Sequence, residues 1–192
     1  MRLVCAAVAL VVSMSGNDME RALALARARD AERQQFHSRY LFNLSDPTVT
    51  QFEIVTEFRR LVLIAEDHVF RGDWMFTRGL RAAEQALASS RGMLTIRAQV
   101  RFNPLNTFIA PPDYELAVGT PSGVLVPVDT QLTPQFSTPF KNRQGKTNTS
   151  LMGATLESTL PAQEIGQTSR PVAVTLDGKV IARITVEFKS LD

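Results

Sequence analysis

Hydrophobic and polar residues alternate without interruption from Met93 to Phe102. Leu94, Ile96, Ala98, Val100 and Phe102 fall on one side, and Thr95, Arg97, Gln99 and Arg101 on the other. A period of two marks a half-buried strand. Upstream of this strand the pattern is largely helical, and downstream it breaks into short alternating runs separated by Pro, Gly, Asn and Ser. The strand is therefore expected at the centre of a sheet, where it receives the helical half of the chain.

Residues 18–37 are rich in strong helix formers but carry only a thin stripe of Met19, Leu23, Leu25, Ala26 and Ala28. One helix from Asp18 to about His37, started by a capping box between Asn17 and Glu20 and leaning loosely on the domain, is the expectation. Residues 39–44 and 48–56 read as a β-hairpin around Ser45-Asp46-Pro47-Thr48. The competing pattern is one long helix from Pro47, which the β-branched run Thr48, Val49, Thr50, Ile54, Val55 and Thr56 disfavours. Phe58, Leu61, Val62, Ala65 and Val69 then share one helical face, Gly72 stops that helix, and Asp73 caps another bearing Phe76, Leu80, Ala83 and Leu87. The two form an αα-hairpin inserted at about 57–91.

Beyond the irregular crossing at 103–113, strands are predicted at 114–119, 124–130, 150–159, 170–175 and 179–188, with a polar, mobile loop over 133–149. This spacing predicts an α+β chain: an antiparallel β-sandwich, immunoglobulin-like, of about seven to eight strands, with an N-terminal helix and the inserted helical hairpin. Residues 39–192 form one such domain, preceded by the helix at 16–38. The last hairpin permits a finer prediction. Val172 and Val174 must share a face with Val180, Ala182, Ile184 and Val186. A two-residue Asp177-Gly178 turn puts the two sets on opposite faces, so a three-residue loop with a G1 bulge and a left-handed Gly178 is expected, pairing Val174 with Val180.

Composition changes this picture mainly at the N-terminus. Arg2, an apolar run from Leu3 to Val12 and small residues at Ser13 and Ser15 predict a signal peptide over 1–15 with cleavage near Ser15-Gly16, and hence an exported, periplasmic or extracellular, protein. The run is too short for a membrane span, so no transmembrane span is expected in the mature chain. Cys5 is the single cysteine and lies inside that leader, so thiol catalysis, thiolate metal sites and disulfides are not expected. Lysine is scarce, with only Lys141, Lys146, Lys179 and Lys189 among the 21 basic residues, a codon bias of GC-rich bacterial genomes. Acids and bases balance in both halves, so neither half is expected to offer the positive field that nucleic acid or an anionic membrane would require.

Catalytic patterns are absent from the sequence. His37 and His68 are the two histidines; no nucleophile elbow, phosphate loop or metal-ligand spacing accompanies them, so no catalytic, cofactor-binding or metal residue is named. Glu53 and Glu57 are about 13 Å apart if both lie in one strand, which suits a solvated face better than paired carboxylate chemistry. Arg71-Gly72-Asp73 is read as a helix stop and start, and Trp74 as wedged between the helices and the sheet. Arg71, Trp74, Arg78 and Arg81 make the one candidate partner-binding patch, suited to an anionic or glycan surface. The expected function is a non-enzymatic binding or envelope-associated structural module whose partner is a protein or envelope component. The alternative is a small hydrolase or small-ligand carrier whose site forms only in three dimensions.

Overall fold

The computed structural model describes residues 14–103, 105–121, 123–141, 145 and 147–191. The apolar run of the expected signal peptide lies outside the described residues. The chain is α+β, and its described residues form five helices, a five-stranded and a four-stranded antiparallel sheet, and a two-stranded ribbon.

The N-terminal helix is two helices, α1 (Gly16–Ala26) and α2 (Asp30–Ser38). Ser15 is the N-cap of α1: its Oγ accepts from Asp18 N at 3.2 Å and donates to Asp18 Oδ2 at 2.6 Å. The capping box thus sits two residues earlier than Asn17-Glu20. Nor does α1 pack loosely. Met19, Ala22, Leu23 and Ala26 are buried in a helical core with Leu61, Val62, Ala65, Ala83 and Leu87. Small residues at Ala22 and Ala26 let α1 lie close to its neighbour, which a count of large apolar side chains underrates. The break at Arg27-Ala28-Arg29 redirects the chain, so that Phe36 of α2 reaches both this core and the one between the sheets.

Strands β1 (Leu41–Asn43) and β2 (Val49–Val55) form the expected hairpin, with Asp46 Oδ1 accepting from Thr48 N and Val49 N at 2.7 and 2.8 Å. Helix α3 (Glu57–Phe70) starts at Thr56, whose Oγ1 accepts from Arg59 N. It ends at Gly72, where φ of +83° suits a residue without Cβ. The next helix does not start at Asp73. A 3-10 turn at Phe76–Arg78 comes first, and Gly79, extended at φ −119°, separates it from α4 (Leu80–Leu87).

The strand β3 (Met93–Arg101) is central, in the order β1-β2-β3-β9-β6, where β6 is Asp129–Phe136 and β9 is Leu151–Pro161. The second sheet has the order β11-β10-β4-β5, from β4 (Tyr114–Thr120), β5 (Gly123–Leu125), β10 (Ser169–Leu176) and β11 (Lys179–Glu187). Phe52, Ile54, Ile96 and Leu156 of the first sheet share one core with Val118, Val172, Val174 and Val186 of the second. The Tyr40 hydroxyl donates to the Leu191 carbonyl beneath it.

Three downstream expectations are corrected. The strand predicted at 124–130 is split, because the chain leaves one sheet after β5 and joins the other at β6, with Pro127, which has no N–H for a ladder, at the crossing. The loop predicted at 133–149 is partly strand, since β6 runs to Phe136 and β7 (Phe140–Lys141) pairs with β8 (Thr147–Asn148). The final hairpin has a two-residue turn, with Leu176 opposite Lys179 and both Asp177 and Gly178 left-handed at φ +51° and +72°. Phase is restored by a bulge instead. Thr175 pairs with Val180, Ile181 is skipped, and Val174 pairs with Ala182. The apolar sets share a face without Val180, which is 49% exposed.

Candidate functional site

The residues from Arg71 to Gly79 form the turn between α3 and α4, with Phe70 the last residue of α3. Trp74 is not wedged against the sheet but 53% exposed, and Phe70 and Met75 beside it are 90% and 70% exposed. Three large apolar side chains within six residues of exposed chain exceed the single exposed ones that are ordinary; Leu105, Phe108 and Ile109, and Val124, Val126 and Val128, make two further exposed runs, without a tryptophan. Phe76 turns inward and stacks on His68, with centroids 3.9 Å apart. That ring pair and the hydrogen bond that Thr77 Oγ1 donates to Trp74 O at 2.9 Å hold the turn in shape.

Charge at this tip is unevenly compensated. Arg71 is tied to Asp67 at 2.8 Å. His68 Nδ1 lies 2.8 Å from Asp73 Oδ2, and this hydrogen bond holds the Asp73 carboxyl below the usual carboxylate range. Arg78 and Arg81 are exposed and have no ion-pair partner among the described residues. Arg78 lines a shallow cavity of about 470 Å³ together with Arg27 and Glu20 of the α1 layer. Of the expected patch, Arg71, Trp74 and Arg78 thus surround one turn, with Arg81 on the following helix. Phe70, Met75 and Arg27 were missed. Phe70 sits next to the apolar stripe of α3 but off it, a sequence signal that was legible; Arg27 joins only through the packing of α1.

A second polar region covers the outer face of the five-stranded sheet, where the register places Glu53, Arg97, Glu157 and Gln131 in one row. Arg59, a charged residue of α3, is only 2% exposed. Its Nη1 donates to Ile54 O and its Nη2 to Glu53 Oε1, both at 2.6 Å, and its guanidinium lies 4.9 Å from the Tyr40 ring centroid. Burial lowers the pKa of Arg59 despite the Glu53 carboxylate. Burial also works against the charge on Arg97, but Glu157 at 2.5 Å and Glu53 at 3.6 Å overcome it and raise its pKa. Glu57, by contrast, accepts from Gly92 N at 3.2 Å. The two glutamates therefore serve separate structural tasks, one in the sheet and one at a helix start.

The other described cavity, about 530 Å³, lies at the end of this face and is lined by Thr50, Gln99, Arg101, Gln135 and Met152. Gln99, Gln135 and Thr155 bond to one another at 2.9–3.1 Å, so their polar groups are already satisfied. Neither histidine is hydrogen-bonded to a serine among the described residues: His37 Nε2 meets Glu66 at 3.0 Å and His68 meets Asp73. No group of three or more metal-ligating side chains converges among the described residues. Among them, no helix is long and apolar enough to cross a membrane.

No protein-family model, no curated protein and no solved structure matches the chain.

Proposed function

We propose that this chain is an exported, non-enzymatic protein that serves as a binding module of the cell envelope and meets its partner through the tip of its helical layer. The two antiparallel sheets form an immunoglobulin-like sandwich that acts as the rigid base, and the helices present the contact. The observation that carries this reading is the exposure of Phe70, Trp74 and Met75 on a single ordered turn. Leaving them in water is unfavourable, at roughly 25 cal/mol for each Å² of apolar surface, and binding recovers that free energy.

Two measurements test it. Mass spectrometry of the exported protein is expected to find a mature N-terminus close to Gly16; retention of Met1 in a cytoplasmic protein overturns export. A photo-reactive residue at position 75 is expected to give an envelope adduct that the same group at Gln163, exposed on α5 (Ala162–Ile165), does not. Equal labelling from both positions, or none from either, overturns the contact.

A further inference from the structure

Resting on that reading, we infer that the occupant of the tip is an anionic phospholipid surface: Phe70, Trp74 and Met75 enter the boundary between headgroups and acyl chains while Arg27 and Arg78 bind lipid phosphate. Three features of the site select a lipid surface.

The first is shape. Phe70, Trp74 and Met75 project from a turn, and neither described cavity is lined by any of them. A protrusion of this kind needs a medium that yields around it, and the interfacial zone of a bilayer does so. Tryptophan favours that zone because one end of its ring system is apolar and the indole N–H stays wet.

The second is charge. The acids nearest the apolar residues are already engaged, Asp67 by Arg71 and Asp73 by His68. Glu66, one turn before Phe70, meets His37 and Arg33. Although each half of the chain is balanced as a whole, Arg78 on the turn and Arg81 on the following helix have no ion-pair partner among the described residues. A planar guanidinium grips a phosphate through two parallel hydrogen bonds, which a lysine cannot do.

The third is placement. Arg27 closes α1 and Arg78 closes the 3-10 turn after Met75, yet packing brings both to the rim of the same 470 Å³ hollow. Glu20 shares that hollow, so two guanidinium groups there stand against one carboxylate. Apolar anchors beside an arginine pair drawn from α1 and the turn reproduce the two contributions that hold a peripheral protein to a bilayer: buried apolar area and attraction to anionic headgroups.

Trp74 is the only tryptophan of the chain, so its fluorescence reports on this turn alone. Titrating the purified mature protein with vesicles of equal parts phosphatidylglycerol and phosphatidylcholine is expected to shift Trp74 emission to the blue and to sediment the protein. Pure phosphatidylcholine is expected to bind at least tenfold more weakly. Arg27→Gln/Arg78→Gln is expected to weaken binding by roughly 25-fold, taking about 1 kcal/mol per basic residue near the surface. Phe70→Ser/Met75→Ser is expected to abolish the blue shift, whereas Phe136→Ser, an exposed aromatic on β6, leaves it intact. Far-UV circular dichroism of each variant guards against misfolding. Emission unmoved by anionic vesicles, or equal loss from Phe136→Ser and from the tip variants, overturns the lipid assignment. If the adduct from position 75 persists in that case, the binding-module reading survives without it; if the adduct is also absent, both fall.

Discussion

Glu53→Gln is expected to destabilise the fold more than Arg59→Met, although the arginine is the more deeply buried partner. Arg59 lies almost wholly out of water, with Glu53 the only carboxylate among the described residues at hydrogen-bond distance. Neutralising Glu53 keeps the shape of the site but strands a cation in a poorly solvating environment. Breaking a buried pair in this way costs about 3–5 kcal/mol. Glu53 keeps some exposure, which puts the expectation near about 3 kcal/mol, a fall in Tm of roughly 6–12 °C for a domain of this size. Arg59→Met removes the stranded charge altogether, and Glu53 retains Arg97 at 3.6 Å. The remaining losses are the bond to the Ile54 carbonyl and the contact with Tyr40, together about 2 kcal/mol. In the double variant most of the Glu53→Gln cost is expected to disappear. Urea unfolding followed by circular dichroism suits the test, since exposed Trp74 reports poorly on the core. Should Arg59→Met prove the costlier change, the guanidinium is a net contributor to stability and the desolvation argument fails.

Gly153→Ala is expected to destabilise by about 3 kcal/mol, because its Cβ would lie 2.3 Å from the Val100 carbonyl oxygen across the β3–β9 pair; a calorimetric change below 1 kcal/mol would show that the strands separate easily. Gly178→Ala, at φ +72° in the last turn, is expected to cost about 1–2 kcal/mol in urea titration, and a neutral result would mean the turn rearranges. The His68 hydrogen bond lowers the Asp73 pKa in the folded state, so its contribution is present above the unfolded value of about 3.8 and lost as pH falls through the lower folded value. Asp73→Asn is accordingly expected to flatten that acid limb of the stability profile, and an unchanged limb would refute the assignment. Tyr40→Phe leaves the buried Leu191 carbonyl without the hydroxyl donor and is expected to cost about 1–3 kcal/mol in the same assay.

Several features of the fold were legible because they depend on local period. The alternation in 93–102 identified the central strand, and the β-branched run after Pro47 identified the hairpin. Gly72 marked the end of α3 because a left-handed residue was needed there. Other features were not legible. The break between α1 and α2 has no Pro or Gly to announce it, and the bulge at Ile181 corrects a phase that was assigned to the turn. The candidate site was half visible: Arg71, Trp74, Arg78 and Arg81 are close in sequence, but the exposure of Phe70 and Trp74 depends on what packs beside them.

By itself, the order of residues determined the kind of each long element, the residues its inner face carries and the scarcity of histidine and cysteine, since these follow from side-chain period and inventory. Only the tertiary structure decided that Arg59 is buried against Glu53, that Trp74 faces water and that Arg27 stands beside Arg78. Burial and pairing between elements depend on how whole surfaces dock. That docking balances packing against desolvation across residues far apart in the chain, and no local pattern records the outcome.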